Sequence, residues 1–326
     1  MTYLGLGASL ALSAFLAIDV LASVVAALLW RAAQGDLERV SPHVRAGGLL
    51  LLRVFPATAA AIIVLGVVLP AFWRFEPRET SEMVGESLVV LALAASGVIA
   101  MALCRGWRAS RATARVVHGW LRHARPVAFP GVHIRAYSID AEFPVVSVVG
   151  ILRPRLFISE RVLRECTPEE LHAMTRHECG HLASRDNLKR LVLRACPTPL
   201  LLTRVACELE RYWHEACEEA ADDYAARASV PSALALANAL LRVARMAPAG
   251  RATILPALSL YDGGSFERRI RRLIAAGPRD GSRPAWLLAA RGLALVAPIL
   301  ALAVLLDGNL LHAVHQVIEA VVETLP

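Results

Sequence analysis

Thr167-Pro-Glu-Glu-Leu-His-Ala-Met-Thr-Arg-His-Glu-Cys-Gly-His-Leu-Ala-Ser-Arg-Asp186 is the stretch on which the reading of this chain turns. His177 and His181 stand four residues apart. On a helix that spacing puts two imidazoles on one face, where both can meet one metal ion. Glu178, beside the first imidazole, can reach a water on that metal and act as general base. The helix itself is written into the same residues. Thr167 suits the N-cap, Pro168 the first helical position, and Glu170 stands where a capping box places its carboxylate. Leu171, Met174 and Cys179 offer apolar positions to anchor one side.

A catalytic zinc site keeps three protein ligands and leaves a fourth position for water. The third ligand is sought on a second helix. Residues 215–226 are rich in Ala and Glu and contain no Gly or Pro, so they read as helical. Glu218 and Asp222 share one face of it. Glu218 is the expected third ligand, and Asp222 is expected to orient a ligand histidine through its free ring N–H. Glu219 competes for the ligand position, and His214 is a weaker competitor. Glu208, Glu210, Glu215 and Asp223 read as a solvated acidic face.

Working outward, the 326 residues are 56% hydrophobic, and segment lengths decide what that means. Residues 3–30 are interrupted only by Asp19, residues 47–73 only by Arg53, and residues 87–104 carry no charge. Residues 285–306 form a fourth run, with Arg291 able to snorkel to the surface. A bilayer core needs about 20 apolar residues in a helix, so an α-helical multi-pass membrane protein is expected and a soluble globular one is excluded. Asp19 should face other helices or water.

Arginine placement sets the orientation. Arg31, Arg39 and Arg45 follow the first span, and Arg105, Arg108, Arg111, Arg115, Arg122 and Arg125 follow the third. By the positive-inside rule both termini lie outside and the metal motif lies on the cytoplasmic side of the membrane. The net charge of +7 is then explained by these loops and by anionic lipid, without direct binding of nucleic acid. Six cysteines form no C-x-x-C pair, and five fall in the cytoplasmic part, where reduced thiols are expected.

Taken in order, residues 1–105 read as a three-span anchor and 106–284 as a cytoplasmic domain. Residues 285–306 read as a fourth span and 307–326 as a short outer amphipathic tail. Residues 106–123 suggest a basic helix lying on the membrane surface, with Trp107 and Trp120 as interfacial anchors. Segments 132–137, 144–150 and 153–159 read as strands of a small sheet packed on the metal helices. Gly263 and Gly264 mark a loop before the arginine-rich run at Arg268, Arg269, Arg271 and Arg272. His312 and His315 in the tail read as one face of an interfacial helix rather than as ligands.

The order of features resembles the BlaR/MecR-type membrane metallopeptidases, the signal-transducing peptidases of bacterial antibiotic receptors. The residues carrying the resemblance are Gly150 with Pro154-Arg-Leu-Phe-Ile158, Thr167-Pro-Glu-Glu-Leu171, His177-Glu-Cys-Gly-His181 and Arg185-Asp186. Glu218-Glu-Ala-Ala-Asp222 and Phe266-Glu-Arg-Arg-Ile-Arg-Arg-Leu-Ile274 complete the set. The resemblance implies an inserted α+β gluzincin-like domain, one zinc ion, a supporting role for Asp186, and cleavage of a cytoplasmic regulator such as a repressor. It also implies self-cleavage. The resemblance is not expected to extend to the large outer penicillin-binding sensor of those receptors. The stimulus is therefore expected through the spans, the outer loops, a separate sensor protein or a second copy of the chain.

A peptide substrate should lie extended along an edge strand, and the strand containing Arg153, Leu156, Phe157 and Ile158 is the expected one. Tyr212, His214 and nearby arginines are candidates for stabilising the oxyanion. Two other readings stay open: a prenyl-protein or heat-shock type membrane peptidase, and a non-proteolytic scaffold whose zinc is structural.

Overall fold

Each of the first three apolar runs forms a helix. The computed structural model describes residues 3–77, 85–129, 131–199, 203–227, 229–246, 263–275, 296, 298–305 and 307–324. The first run is α1 (Tyr3–Ala33). The second is α2 (Pro42–Ile63), a π-helical turn at Val64–Val68, and α3 (Leu69–Phe75), together one rod of 34 residues. The third is α4 (Glu86–Leu121). At about 1.5 Å per residue each exceeds the roughly 30 Å of a bilayer core. The polar interruptions point inward: Asp19 and Arg53 are buried. Ser23 donates to Asp19 and lies 3.1 Å from the Thr198 hydroxyl, which ties α1 to the segment after α7 (Asp186–Ala195). Most of the expected fourth span lies outside the described residues. Of it, α11 (Pro298–Leu305) meets α12 (Gly308–Thr324) at a bend of 104°.

α4 runs unbroken for 36 residues, so the expected surface helix is instead the continuation of the third span. Trp107 is exposed, as an interfacial residue would be, whereas Trp120 packs against Phe157 with ring centroids 5.1 Å apart and planes tilted by 56°. A four-stranded mixed sheet follows: β1 (Arg125–Val127), β2 (Arg135–Ile139), β3 (Val146–Val149) and β4 (Arg155–Ser159), in the order β1-β2-β4-β3.

This order corrects the choice of substrate strand. β4 pairs in parallel with β2 and antiparallel with β3, so Leu156, Phe157 and Ile158 are central and fully covered. Arg153 lies in the β3–β4 turn, not on a free edge. That turn is tight: Gly150 has φ +111°, and a Cβ there would come within 2.8 Å of the Arg153 carbonyl oxygen. Leu156 and Ile158 face one core with Val162, Met174, Leu236 and Leu240. Phe157 faces the other, closed by Val117 and Trp120 of α4.

The remaining helices are α5 (Glu160–Glu165), α6 (Pro168–Ala183), α8 (Arg204–Ala226), α9 (Val230–Met246) and α10 (Gly263–Ile274). α10 begins at the glycine pair expected to be a loop. α8 is packed on the ends of the first two spans. Trp30, Leu49 and Leu52 share an apolar cluster with Leu193, Leu209, Trp213 and Ala216. The helices carrying the metal motif and the spans are therefore one packed body at this end. Among the described residues all six thiols are free.

Candidate metal centre

α6 begins with the expected capping box. Thr167 Oγ1 accepts from the Glu170 N–H at 3.3 Å, and Glu170 Oε2 accepts from the Thr167 N–H at 2.9 Å. Arg242 of α9 donates to the same carboxylate. Farther along, α6 crosses α8 closely at Gly180, where a Cβ would lie 3.1 Å from Ala221 Cα and from Tyr224 Cβ. The missing side chain lets the two helices approach, which brings the histidines of one to the carboxylates of the other.

There His177, His181 and Glu218 converge as a group able to hold a metal ion. The two Nε2 atoms are 3.2 Å apart, His181 Nε2 is 3.4 Å from Glu218 Oε1, and His177 Nε2 is 3.6 Å from Glu218 Oε2. Donors bonded at about 2.0–2.1 Å to a tetrahedral ion stand roughly 3.3–3.4 Å from one another. The three donors fit that spacing, and two imidazoles with a carboxylate suit zinc or a related borderline cation.

The far side of each ring is also held. His177 Nδ1 is 2.9 Å from Asp222 Oδ1, and His181 Nδ1 is 2.8 Å from Asp186 Oδ2. Asp186 thus turns the His181 Nε2 toward the centre and fixes the tautomer a metal needs, while Asp222 stands at ion-pair distance from the far side of the His177 ring. Asp186 can reach back because Arg185 takes the left-handed conformation, φ 55°, between α6 and α7. That turn reverses the chain just past the motif.

Electrostatics follow from this packing. Burial alone would raise the Glu218 carboxyl, but His181 and Arg269 beside it hold it well below the usual carboxylate range. Asp222, likewise buried, is drawn down to about 2 by Arg269 and His177. Burial opposes charge on His181, yet Glu218 and Asp186 raise it to about 10. His177 is raised against the same burial by Asp222 and Glu218. A bound cation takes the place of those imidazole protons.

Glu178 is set one step from the ligands. Its Oε2 accepts from the Val148 N–H of β3 at 2.7 Å. β3 is one of the two edge strands, and Asn187 donates to the carbonyls of Val148 and Gly150, pinning that edge beside the centre.

The competing residues take other places. Glu219 Oε2 is 2.6 Å from both Arg45 Nη2 and Arg272 Nη1, and its Oε1 is 3.3 Å from Arg268. It is thereby committed to guanidinium groups. Tyr212 packs on Trp30, toward the spans. His214 is outside the group of ligand atoms, with its ring against Trp213 and its Nδ1 without a hydrogen-bond partner. Burial and the nearby Arg190 push its imidazole down to about 4.

Three contributors were not singled out from the sequence: Arg269, Arg190 and Asn187. Arg269 is buried, donates through two nitrogens to Asp222, and lies 3.0 Å from Glu218 Oε2. Its signal was available, because Arg269 falls on the same helical face as Phe266 and Leu273, and a charge inside an apolar stripe requires a partner. Arg190 Nη2 lies 3.8 Å from Glu218 Oε1.

A comparison with protein-family models gives no match, and neither does one with curated protein sequences.

Proposed function

We propose that this chain is a membrane-embedded zinc endopeptidase of the BlaR/MecR type, with a gluzincin-like domain. It would cleave a cytoplasmic regulatory protein such as a transcriptional repressor, and also itself. The observation that carries this reading is the convergence of His177, His181 and Glu218 at metal-ligand spacing, with Glu178 held against the edge strand beside them. A closed structural site would need a fourth protein donor, and the group among the described residues has three.

Zinc, when bound, supplies Lewis acidity and brings the pKa of its water toward neutrality. The chain's own residues do the rest. Glu178 takes the proton of the attacking water and passes it to the leaving amine. The substrate lies extended against the outer edge of β3 rather than along β4, replacing the contacts that Glu178 and Asn187 make to Val148 there. His214, kept neutral, and the Arg190 guanidinium are the groups placed to meet negative charge developing on the carbonyl oxygen. The arginines at the end of α1, the start of α2 and the end of α4 support a cytoplasmic position for this domain in a bacterial cell.

The test is Glu178→Gln, which keeps the shape of the side chain and removes the base. New N-termini of cytoplasmic proteins are compared between cells making the wild-type chain and cells making the variant. The variant should retain zinc and lose cleavage by about 10²-fold or more. Cleavage that persists in zinc-loaded Glu178→Gln contradicts the reading.

A further inference from the structure

We propose that the basic face of α4, just past the apolar part of the third span, holds an anionic phospholipid through its phosphate. This site requires α4 to be a span and does not depend on the peptidase reading. Between Glu86 and Asp140 the chain has no acidic residue. Over its second half α4 carries Arg105, Arg108, Arg111 and Arg115 at steps of three or four residues, and Arg122 two turns on. At about 100° per residue these arginines share one side of the helix. The opposite side is used by the fold, where Val117, Trp120 and Leu121 pack on the cluster of Ile139, Val145 and Phe157.

The arginine side lines a groove of about 1200 Å³. α7 meets α4 at Gly106, where a Cβ would come within 2.8 Å of Ala195 Cβ, and Arg194 of α7 joins the lining. Among the described residues no carboxylate lines this groove. Exposed arginines elsewhere have one: Arg164 pairs with Glu160, Arg211 with Glu215 and Arg271 with Glu267, each a helical turn apart. Setting the orientation of a span needs only positive charge on one side of the membrane. It requires neither a single helical face nor a further guanidinium supplied by another helix.

The apolar half of α4 selects the kind of anion. Val90, Leu93, Met101 and Cys104 are exposed and fall on the same side of the helix as the arginines. An exposed apolar stripe that runs into a basic one is complementary to an amphiphile, acyl chains along the first and phosphate against the second. Trp107 stands exposed at the join, with the Arg111 guanidinium 4.5 Å from its ring centroid, and an indole there suits the headgroup level. A soluble polyanion would use the arginines and leave the apolar stripe without a partner. At about 1.5 Å per residue, Arg122 stands roughly 25 Å beyond Arg105. The phosphate site is therefore the near end, at Arg105, Arg108 and Arg194, where guanidinium forks can take phosphate oxygens in pairs.

The experiment incubates the full chain in mild detergent with equal amounts of dioleoylphosphatidylglycerol and dioleoylphosphatidylcholine, and counts the retained lipid by native mass spectrometry. Phosphatidylglycerol should be retained in preference to phosphatidylcholine by about tenfold or more. Arg108→Gln with Arg194→Gln should cut that preference by about tenfold. Arg115→Gln with Arg122→Gln removes the same charge from the far end and should change it by less than about threefold. Because Arg194 is half-buried, Arg108→Gln alone serves as an exposed variant. It should lower the preference by about fivefold with an unchanged helical spectrum. No preference in the wild-type chain, equal losses from the near and far pairs, or an undiminished preference in Arg108→Gln overturns the proposal. Displacement of the lipid by a short single-stranded oligonucleotide would give the groove to a soluble polyanion and overturns it equally.

Discussion

Glu218 and Glu219 are neighbours on α8 and both meet guanidinium groups, yet only Glu218 also meets two imidazoles. A helix turns about 100° per residue, so consecutive side chains address different partners. The Glu218–Asp222 row faces α6 and meets two imidazoles. The Glu219 row faces the start of α2 and meets Arg45, together with Arg268 and Arg272 of α10. What separates a ligand carboxylate from a structural one is thus the group opposite. A guanidinium fills the lone pairs and cannot lose its proton, whereas an imidazole can yield its place to a metal. α10 serves both rows at once, Arg269 holding Glu218 and Asp222 while Arg268 and Arg272 hold Glu219.

The sharpest way to break this comparison is to exchange the two roles. Glu218→Ala should lose retained zinc by more than about a hundredfold, while Glu219→Gln should keep it, both read by competition with a zinc indicator. The reverse pattern would move the third ligand to Glu219. Next in size is Arg269→Met. It leaves Asp222 and Glu218 buried with only the imidazoles and Arg190 to balance them and should cost about 3 kcal/mol in the unfolding free energy of the metal-free protein. A smaller loss would mean that water reaches the carboxylates.

Acid should act on the ligand row next. The Asp222 carboxyl is lowered from 3.8 to about 2, so the stability it contributes is fully present above its unfolded value and is lost as pH falls toward 2. Roughly 2 kcal/mol is at stake, at about 1.4 kcal/mol per unit. The slope of unfolding free energy over that range should flatten in Asp222→Asn. The smallest effect is expected of Arg45→Ala, which removes one of three guanidinium partners of Glu219. It should cost about 1 kcal/mol and leave zinc affinity unchanged. A change in affinity would reveal that the spans and the centre are coupled through Glu219.

Local features of this site could be read from the chain because they are local. Thr167 and Glu170 lie within one turn, as do His177 and His181, and Glu218 with Asp222 repeats that spacing. Sheet order is not local, and there the reading failed. The run Leu156-Phe157-Ile158 has no alternation, which is the pattern of a strand covered on both faces, and such a strand is central rather than free. α4 was divided at residue 105 because composition changes there from apolar to basic. Helix continuity follows backbone propensity rather than polarity, and Trp120 is used by the sheet, not the membrane. Arg269 was hidden among arginines of similar appearance, separated from them only by the apolar residues on its own face.

The central claim is that His177, His181 and Glu218 bind one ion and leave it an open position. Zinc K-edge absorption on the zinc-loaded protein tests it most directly. The expected spectrum shows scattering from two imidazoles and from oxygen donors only, and it should change in Glu218→Gln. A sulfur scatterer, a third imidazole from His214, or a spectrum indifferent to Glu218→Gln would contradict it.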